Sequence, residues 1–119
     1  MVGKWHLGHA SPGDLPQNRG FDSFYGFYEA QLDYSSNRFY GITGKGGNMW
    51  HAFRDQDGPV DKSGKYMTND LTDEALRKLR GTFSFKQPAV EDQPRYIYLP
   101  YQAPHAPVTA PDDVKDWLK

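Results

Sequence analysis

Glycine and proline recur along most of this chain and leave few uninterrupted stretches for a helix or strand. The 119 residues include 12 glycines and 9 prolines, and both residue types interrupt regular elements. Loops are therefore predicted over residues 10–20, which read ASPGDLPQNRG, and at the glycine-rich tip 41–48. Residues 21–41 are rich in aromatics but follow neither the helical nor the strand period, so short strands or turns are predicted there.

One stretch, residues 69–80, has the pattern of an amphipathic helix. The predicted apolar stripe consists of Leu71, Ala75, Leu76 and Leu79. Acidic residues lie near its N-terminus and basic residues near its C-terminus, an order that is favourable to the helix dipole. Thr68 or Asn69 is the predicted N-cap, and Gly81 is predicted to take a left-handed conformation after the last turn.

The remaining predicted elements are short. Residues 1–2 look like the end of a strand, and 95–99 (RYIYL), between two prolines, are predicted to form a buried strand. A hairpin is predicted over 49–62 around the turn pair Asp57-Gly58, and a helix is predicted to begin at Pro111. These elements are too few for a complete sheet domain, so the sequence predicts part of a larger α/β domain that continues beyond both ends.

Composition excludes several classes of function. Fourteen basic residues against 15 acidic ones give a net charge of −1, without the clustered positive charge of a nucleic-acid-binding surface. No stretch approaches the ~20 apolar residues of a membrane span, and no secretory leader is visible. The chain has no cysteine, which excludes disulfides, thiolate nucleophiles and cysteine-ligated zinc within it.

The stretch GKWHLGH at residues 3–9 holds the most conspicuous candidate site residues. In an extended segment Lys4 and His6 would share one face while Trp5 packs on the other. A cation beside a titratable imidazole can bind an anion and move a proton. The alternative is a polar strand with a solvated lysine, and this stretch alone does not separate the two.

His105 is a further candidate, in the proline-framed sequence PHAP after the predicted strand 95–99. Ligands of open α/β sheets bind beyond the carboxyl ends of strands, where residues following 1–2 and 95–99 would meet. A lone loop histidine is more often structural than catalytic.

Other motifs are weaker. His6 and His9 have metal-ligand spacing, but no third ligand is evident, and Asp55 and Asp57 lack the rest of a calcium loop, so a turn is favoured. The segment GITGKGG lacks the Ser or Thr of a phosphate loop. The aromatics of 21–53 could stack on sugars, although core packing is their commoner role.

Taken in order, these motifs resemble the sulfatases, most closely the arylsulfatase B-like (N-acetylgalactosamine-4-sulfatase-like) branch. The resemblance begins with GKWHLGH and LPQNRGFDSFYGFYEAQLDY and continues through FRDQDGPV, YMTNDLTDEALRKL and YIYLPYQAPHAPVTAP. It implies an alkaline-phosphatase-like α/β fold, of which residues 1–119 are part of the catalytic domain, and hydrolysis of sulfate esters, chiefly of sulfated sugars or small molecules. It also implies a secreted or lysosomal location.

The resemblance further implies roles for three residues. Lys4 matches the lysine that holds a sulfate oxygen, His6 the histidine beside the nucleophile that acts as a base, and His105 the histidine that contacts the sulfate or leaving oxygen. The family's cofactors are calcium and a formylglycine made from Cys or Ser in C/S-x-P-x-R.

This sequence departs from the family pattern in lacking that motif and the calcium-binding aspartates. Both groups are therefore expected outside the segment, which alone is predicted to be inactive. The alternatives are a non-catalytic homologue that binds anions or sulfated glycans and, more remotely, a related phosphoester hydrolase. An upstream C/S-x-P-x-R motif in the gene would favour the enzyme over the binding protein.

Overall fold

The computed structural model describes residues 1–39, 50–81 and 94–118. Within them lie the strands and helices β1 (Val2–Lys4), β2 (Tyr25–Phe27), β3 (Arg38–Phe39), β4 (Trp50–His51), α1 (Met67–Leu79) and α2 (Asp112–Lys115). Short 3-10 turns lie at Pro12–Asp14, Pro16–Asn18 and Asp116–Leu118. The loop predicted over 10–20 thus contains two such turns, and the tip predicted at 41–48 lies outside the described residues.

β1 is the central strand of a small sheet. It pairs in parallel with β2, with Val2 opposite Tyr25 and Lys4 opposite Phe27. Along its other edge, the amides of Val2 and Lys4 donate to the carbonyls of Tyr98 and Pro100, each at 2.9 Å. Since both donors and acceptors advance by two residues in the same direction, segment 98–100 also runs parallel to β1.

The prediction of a buried strand over 95–99 is wrong. This segment is extended beside β1 but forms no complete ladder, and Tyr96 is 78% exposed. The physical reason is Pro100, which has no N–H to return a hydrogen bond to β1. The strand predicted from residues 1–2 is present as β1.

Two glycines allow the three central backbones to lie close together. Gly3 has φ +129° and Gly26 has φ +150°. A Cβ added to Gly3 would overlap the carbonyl oxygen of Pro100, and one on Gly26 would overlap the carbonyl oxygen of Gly3. Only glycine fits such positions, so β1 is held between its neighbours by backbone contact.

Residues 53–60 form the predicted hairpin. Val60 N–H donates to the Phe53 carbonyl at 2.8 Å, and Asp55 N–H donates to the Gly58 carbonyl at 2.9 Å. The Asp55 side chain accepts the amides of Asp57 and Gly58 at 2.8 and 3.2 Å. Asp55 therefore shapes a turn, as the sequence favoured over a calcium loop.

Two apolar clusters pack against the sheet. The main cluster contains Val2, Tyr25, Phe27, Leu32, Tyr34, Ala52, Phe53, Met67, Leu71 and Ala75. The second contains Met1, Trp5, Phe24 and Tyr28. These alternating memberships put successive residues of β1 and β2 on opposite faces. Most described aromatics of 21–53 are thus core residues.

Helix α1 exists where it was predicted but presents a different side to the core. It begins at Met67 after Tyr66, with no side-chain cap, so the prediction of a Thr68 or Asn69 cap is wrong. Gly81 has φ +73°, as predicted for a residue beyond the helix end. Among the helices of residues 1–39, 50–81 and 94–118, none is long and apolar enough to cross a bilayer.

The predicted stripe is only half right, because Leu76 and Leu79 are 40% and 56% exposed. Leu71 and Ala75 are buried beside two carboxylates, Asp70 and Glu74. Burial of these carboxylates is compensated by hydrogen bonds and ion pairs. Tyr25 Oη donates to Asp70 at 2.5 Å, Lys65 pairs with Asp70 at 3.0 Å, and Arg77 pairs with Glu74 at 2.8 Å. Helix α2 begins after Pro111, as predicted.

Candidate functional site

The loop that leaves the carboxyl end of β1 is fixed by Trp5. The indole is buried, and its Nε1–H donates to the carbonyls of Gly8 and Asp14, both at 2.9 Å. Trp5 N–H donates to the Phe27 carbonyl at 2.9 Å, which continues the pairing with β2. Because the indole bonds to both carbonyls, it ties Gly8 to Asp14 and fixes the position of the loop that contains residues 6–8.

Lys4 is a half-buried cation at the end of β1. It lies between Gly3 and Trp5, so its side chain points to the face opposite the indole. Burial lowers the pKa of Lys4 from its ordinary value. In residues 1–39, 50–81 and 94–118 no carboxylate or hydrogen-bond acceptor pairs with its Nζ.

His6 departs from the predicted extended geometry. Its φ is +46°, which is outside the range of a strand. The alternation of side chains between the two faces of β1 therefore does not extend to His6. Its amide still donates to the Tyr28 carbonyl at 3.1 Å, while its side chain is exposed. A non-glycine residue held in the left-handed region costs about 1–3 kcal/mol, and such residues cluster at functional sites.

The second loop, residues 101–106, is anchored by the buried side chain of Gln102. Its Oε1 accepts the amide of Leu32 at 2.7 Å, and its Nε2 donates to the Leu32 carbonyl at 2.8 Å. The Gln102 carbonyl in turn accepts the His105 amide at 2.8 Å. A single amide side chain thus satisfies both backbone groups of Leu32 and starts the turn that carries His105.

Tyr34 is a second anchor of the loop 101–106. Its hydroxyl donates to the His105 carbonyl at 2.9 Å, and its ring stacks on Tyr66 at 5.3 Å. Tyr66 Oη donates to the Thr109 carbonyl at 2.7 Å. Burial raises the pKa of Tyr34.

The backbone around His105 determines which of its nitrogens is free. Nδ1 lies 2.8 Å from the Ala106 carbonyl, and a carbonyl can only accept, so Nδ1 carries a proton. Nε2 is therefore the nitrogen that can exchange a proton or, when protonated, donate to an anion. The side chain is exposed.

Because β1 and segment 98–100 run parallel, the two loops that follow them leave the same end of the sheet, at the carboxyl ends of the strands. Residues 5–9 follow Lys4, and 101–106 follow Pro100, whose carbonyl accepts the Lys4 amide. Lys4, His6 and His105 are thus carried on segments that leave the same edge, as the sequence predicted from strand direction.

The anchoring roles of Gln102 and Tyr34 were not predictable from the sequence, because each residue acts through contacts with residues about 70 positions away. The one indication of the role of Gln102 in the sequence is its amide side chain, which can donate and accept hydrogen bonds in a proline-rich loop with few other such groups. Nothing local to Tyr34 distinguished it from the other aromatics.

The groups that the resemblance implies do not fit the residues in hand. Within the described ranges no cluster of three or more His, Cys, Asp or Glu side chains could hold a metal ion. The six serines of the chain all lie outside an S-x-P-x-R motif, and it has no cysteine. Neither calcium nor formylglycine therefore enters the chemistry derived below.

Comparison with known proteins identifies the family of the chain. The Sulfatase family model matches residues 1–116. Arylsulfatase J of Mus musculus is 27% identical over 93% of this chain and 17% of its own length. The arylsulfatase of Klebsiella aerogenes is 31% identical, over 100% of this chain and 23% of its own.

A solved structure extends the likeness to three dimensions. The crystal structure of Ps i-CgsB in complex with k-i-k-neocarrahexaose matches with a TM-score of 0.70 and 27% identity, covering 97% of this chain and 26% of that one. The chain belongs to the sulfatase family, and the predicted sulfatase-type α/β fold is confirmed. It spans about a fifth of the length of the curated relatives.

Proposed function

We propose that residues 1–119 are part of the catalytic domain of a sulfuric ester hydrolase, and that they supply sulfate-binding and proton-transfer groups. The observation that carries the proposal is the parallel pairing of β1 with segment 98–100, from which the loops of Lys4 and His105 leave one edge. Binding beyond the carboxyl ends of parallel strands is general in α/β sheets.

The three side chains have chemistry that suits a sulfate ester. Lys4 is partly desolvated and unpaired within the described residues, so it can neutralise charge on a sulfate oxygen in the transition state. His6, exposed at a strained backbone position, is assigned proton transfer at the reacting hydroxyl. His105, with Nδ1 committed to Ala106, would donate from Nε2 to the sulfate or the leaving oxygen.

The proposed substrates are sulfate esters of sugars. This rests on the family and on the similarity to a structure whose title records a complex with k-i-k-neocarrahexaose. The calcium and nucleophile of the family would come from outside residues 1–119, so the isolated segment should not turn over an aryl sulfate.

The test is aryl sulfate hydrolysis by the full-length protein that carries this chain. Lys4→Ala and His6→Ala should each lower kcat by about 10²-fold or more, as loss of one preorganised charge or proton-transfer group does. Lys115→Ala is the matched control, because this exposed lysine pairs only with Asp112 on α2 among the described residues. Wild-type turnover in either site variant would remove the assigned role.

A further inference from the structure

A second cation, Arg54, lies on the face of the sheet opposite Lys4. Arg54 pairs with Gly26 through two backbone hydrogen bonds, of 2.9 and 2.8 Å. Residues directly opposite one another in an antiparallel pair point to the same face. Arg54 therefore shares the face of Phe24 and Tyr28, and its guanidinium carbon lies 4.9 Å from the centre of the Tyr28 ring.

The guanidinium of Arg54 lies on the Tyr28 ring without a carboxylate partner among the described residues. Nε is buried and makes no hydrogen bond there. The residue as a whole is partly exposed, and no carboxylate in residues 1–39, 50–81 and 94–118 pairs with its two terminal nitrogens. By contrast, Arg19 and Arg77 each pair with a carboxylate within 3.0 Å.

Tyr28 connects this cation to the loop that carries His6. The Tyr28 carbonyl accepts the His6 amide at 3.1 Å, and the ring of His9 stacks on Tyr28 at 6.0 Å. Glu29, which follows Tyr28 in sequence, accepts the Tyr28 amide at 3.0 Å. An arginine fork fixed on an aromatic ring and open on its outer edge is suited to an oxyanion.

We propose that Arg54, on the Tyr28 ring, is a secondary oxyanion subsite. It binds a second anionic group, sulfate or carboxylate, of a polyanionic glycan whose reacting sulfate ester lies at the Lys4 edge. This inference rests on the proposed function and deepens it, because it assigns the substrate to glycans that carry more than one negative group. Two parallel N–H···O bonds from one arginine supply both affinity and orientation.

The experiment compares a monosulfated with a disulfated disaccharide of the same sugars as substrates of the full-length protein. Arg54→Gln should lower the ratio of kcat/KM for the disulfated to that for the monosulfated sugar by about tenfold or more, the usual effect of losing a hydrogen bond to a charged group. The control is Arg38→Gln, another half-buried arginine, which contacts His51 on the β3–β4 pair and should leave the ratio unchanged.

Arg54→Lys keeps the charge but loses the two-nitrogen fork, so its ratio should fall between wild type and Arg54→Gln. It carries the test should Arg54→Gln fail to fold. An unchanged ratio in the folded variant overturns the subsite.

Calorimetric titration with the disulfated disaccharide separates this inference from the proposed function. If the wild-type protein hydrolyses neither sugar, the proposed hydrolase function fails. The titration then decides the subsite: weaker binding by Arg54→Gln than by wild type supports it, and equal affinity overturns it.

Discussion

Replacing Gln102 by methionine should destabilise the fold through Leu32, a residue about 70 positions away. Methionine matches the length of glutamine but can neither accept from the Leu32 amide nor donate to the Leu32 carbonyl. Those bonds are 2.7 and 2.8 Å long, and Gln102 is only 4% exposed. Each buried backbone group left unpaired costs about 1–3 kcal/mol, so the loss should be about 2–6 kcal/mol.

The measurement is urea unfolding followed by tryptophan fluorescence, with Gln56→Met as the control. Gln56 is exposed in the turn of 53–60, and a surface substitution there should stay within about 0.5 kcal/mol of wild type. If the two variants lose equal stability, the amide of Gln102 is not the anchor described above.

Gln102→Glu gives a second, pH-dependent check on the same contact. Glutamate still accepts the Leu32 amide, but its carboxylate faces the Leu32 carbonyl, so the protonated form is favoured and the folded-state pKa is raised above ~4.3. The stability of this variant is therefore retained below about pH 4.3 and lost as pH rises through the folded pKa. A pH-independent difference from wild type would contradict the reasoning.

Two further substitutions test the sheet and the loop after β2. Gly3→Ala should be more destabilising than Gly58→Ala by about 1–3 kcal/mol, the cost of two displaced hydrogen bonds. Both glycines have a similar positive φ, but only at Gly3 would a Cβ overlap a neighbouring backbone. Equal urea midpoints for the two variants would refute this. Asp33 is partly desolvated, but hydrogen bonds from Ser36 and Ser35 outweigh that effect and lower its pKa. Its stabilisation is present above about pH 4 and lost as pH falls through the folded pKa, so the stability difference between wild type and Asp33→Asn should shrink in acid unfolding curves.

Local patterns predicted the elements that are stabilised locally. The periodicity of 69–80 and the position of Gly81 predict α1 within two residues at its start, and the Asp57-Gly58 pair predicts the turn. Which side of α1 faces the core was not predictable. Buried Asp70 accepts a hydrogen bond from Tyr25, a residue far away in sequence. The segment 95–99 looked like a strand since its apolar residues are visible in sequence, whereas the effect of Pro100 depends on which strand lies beside it.

The candidate site divides in the same way. Lys4, His6 and His105 are predicted from their residue types and positions, and the family resemblance gives them their predicted roles. Strand direction predicted that their loops leave the same end of the sheet. The left-handed conformation of His6 and the anchors Gln102 and Tyr34 arise from packing between distant segments, for which no short-range pattern exists.

The pairing of β1 with segment 98–100 has a consequence for synthesis of the protein on the ribosome. The amides of Val2 and Lys4 meet their acceptors only after about 100 further residues have been made. At about 5–20 residues per second, translation takes roughly 5–20 s to reach them. During that time β1 can pair with β2 but keeps one edge open, so the nascent chain exposes a strand edge to other chains until Pro100 has emerged and closed it.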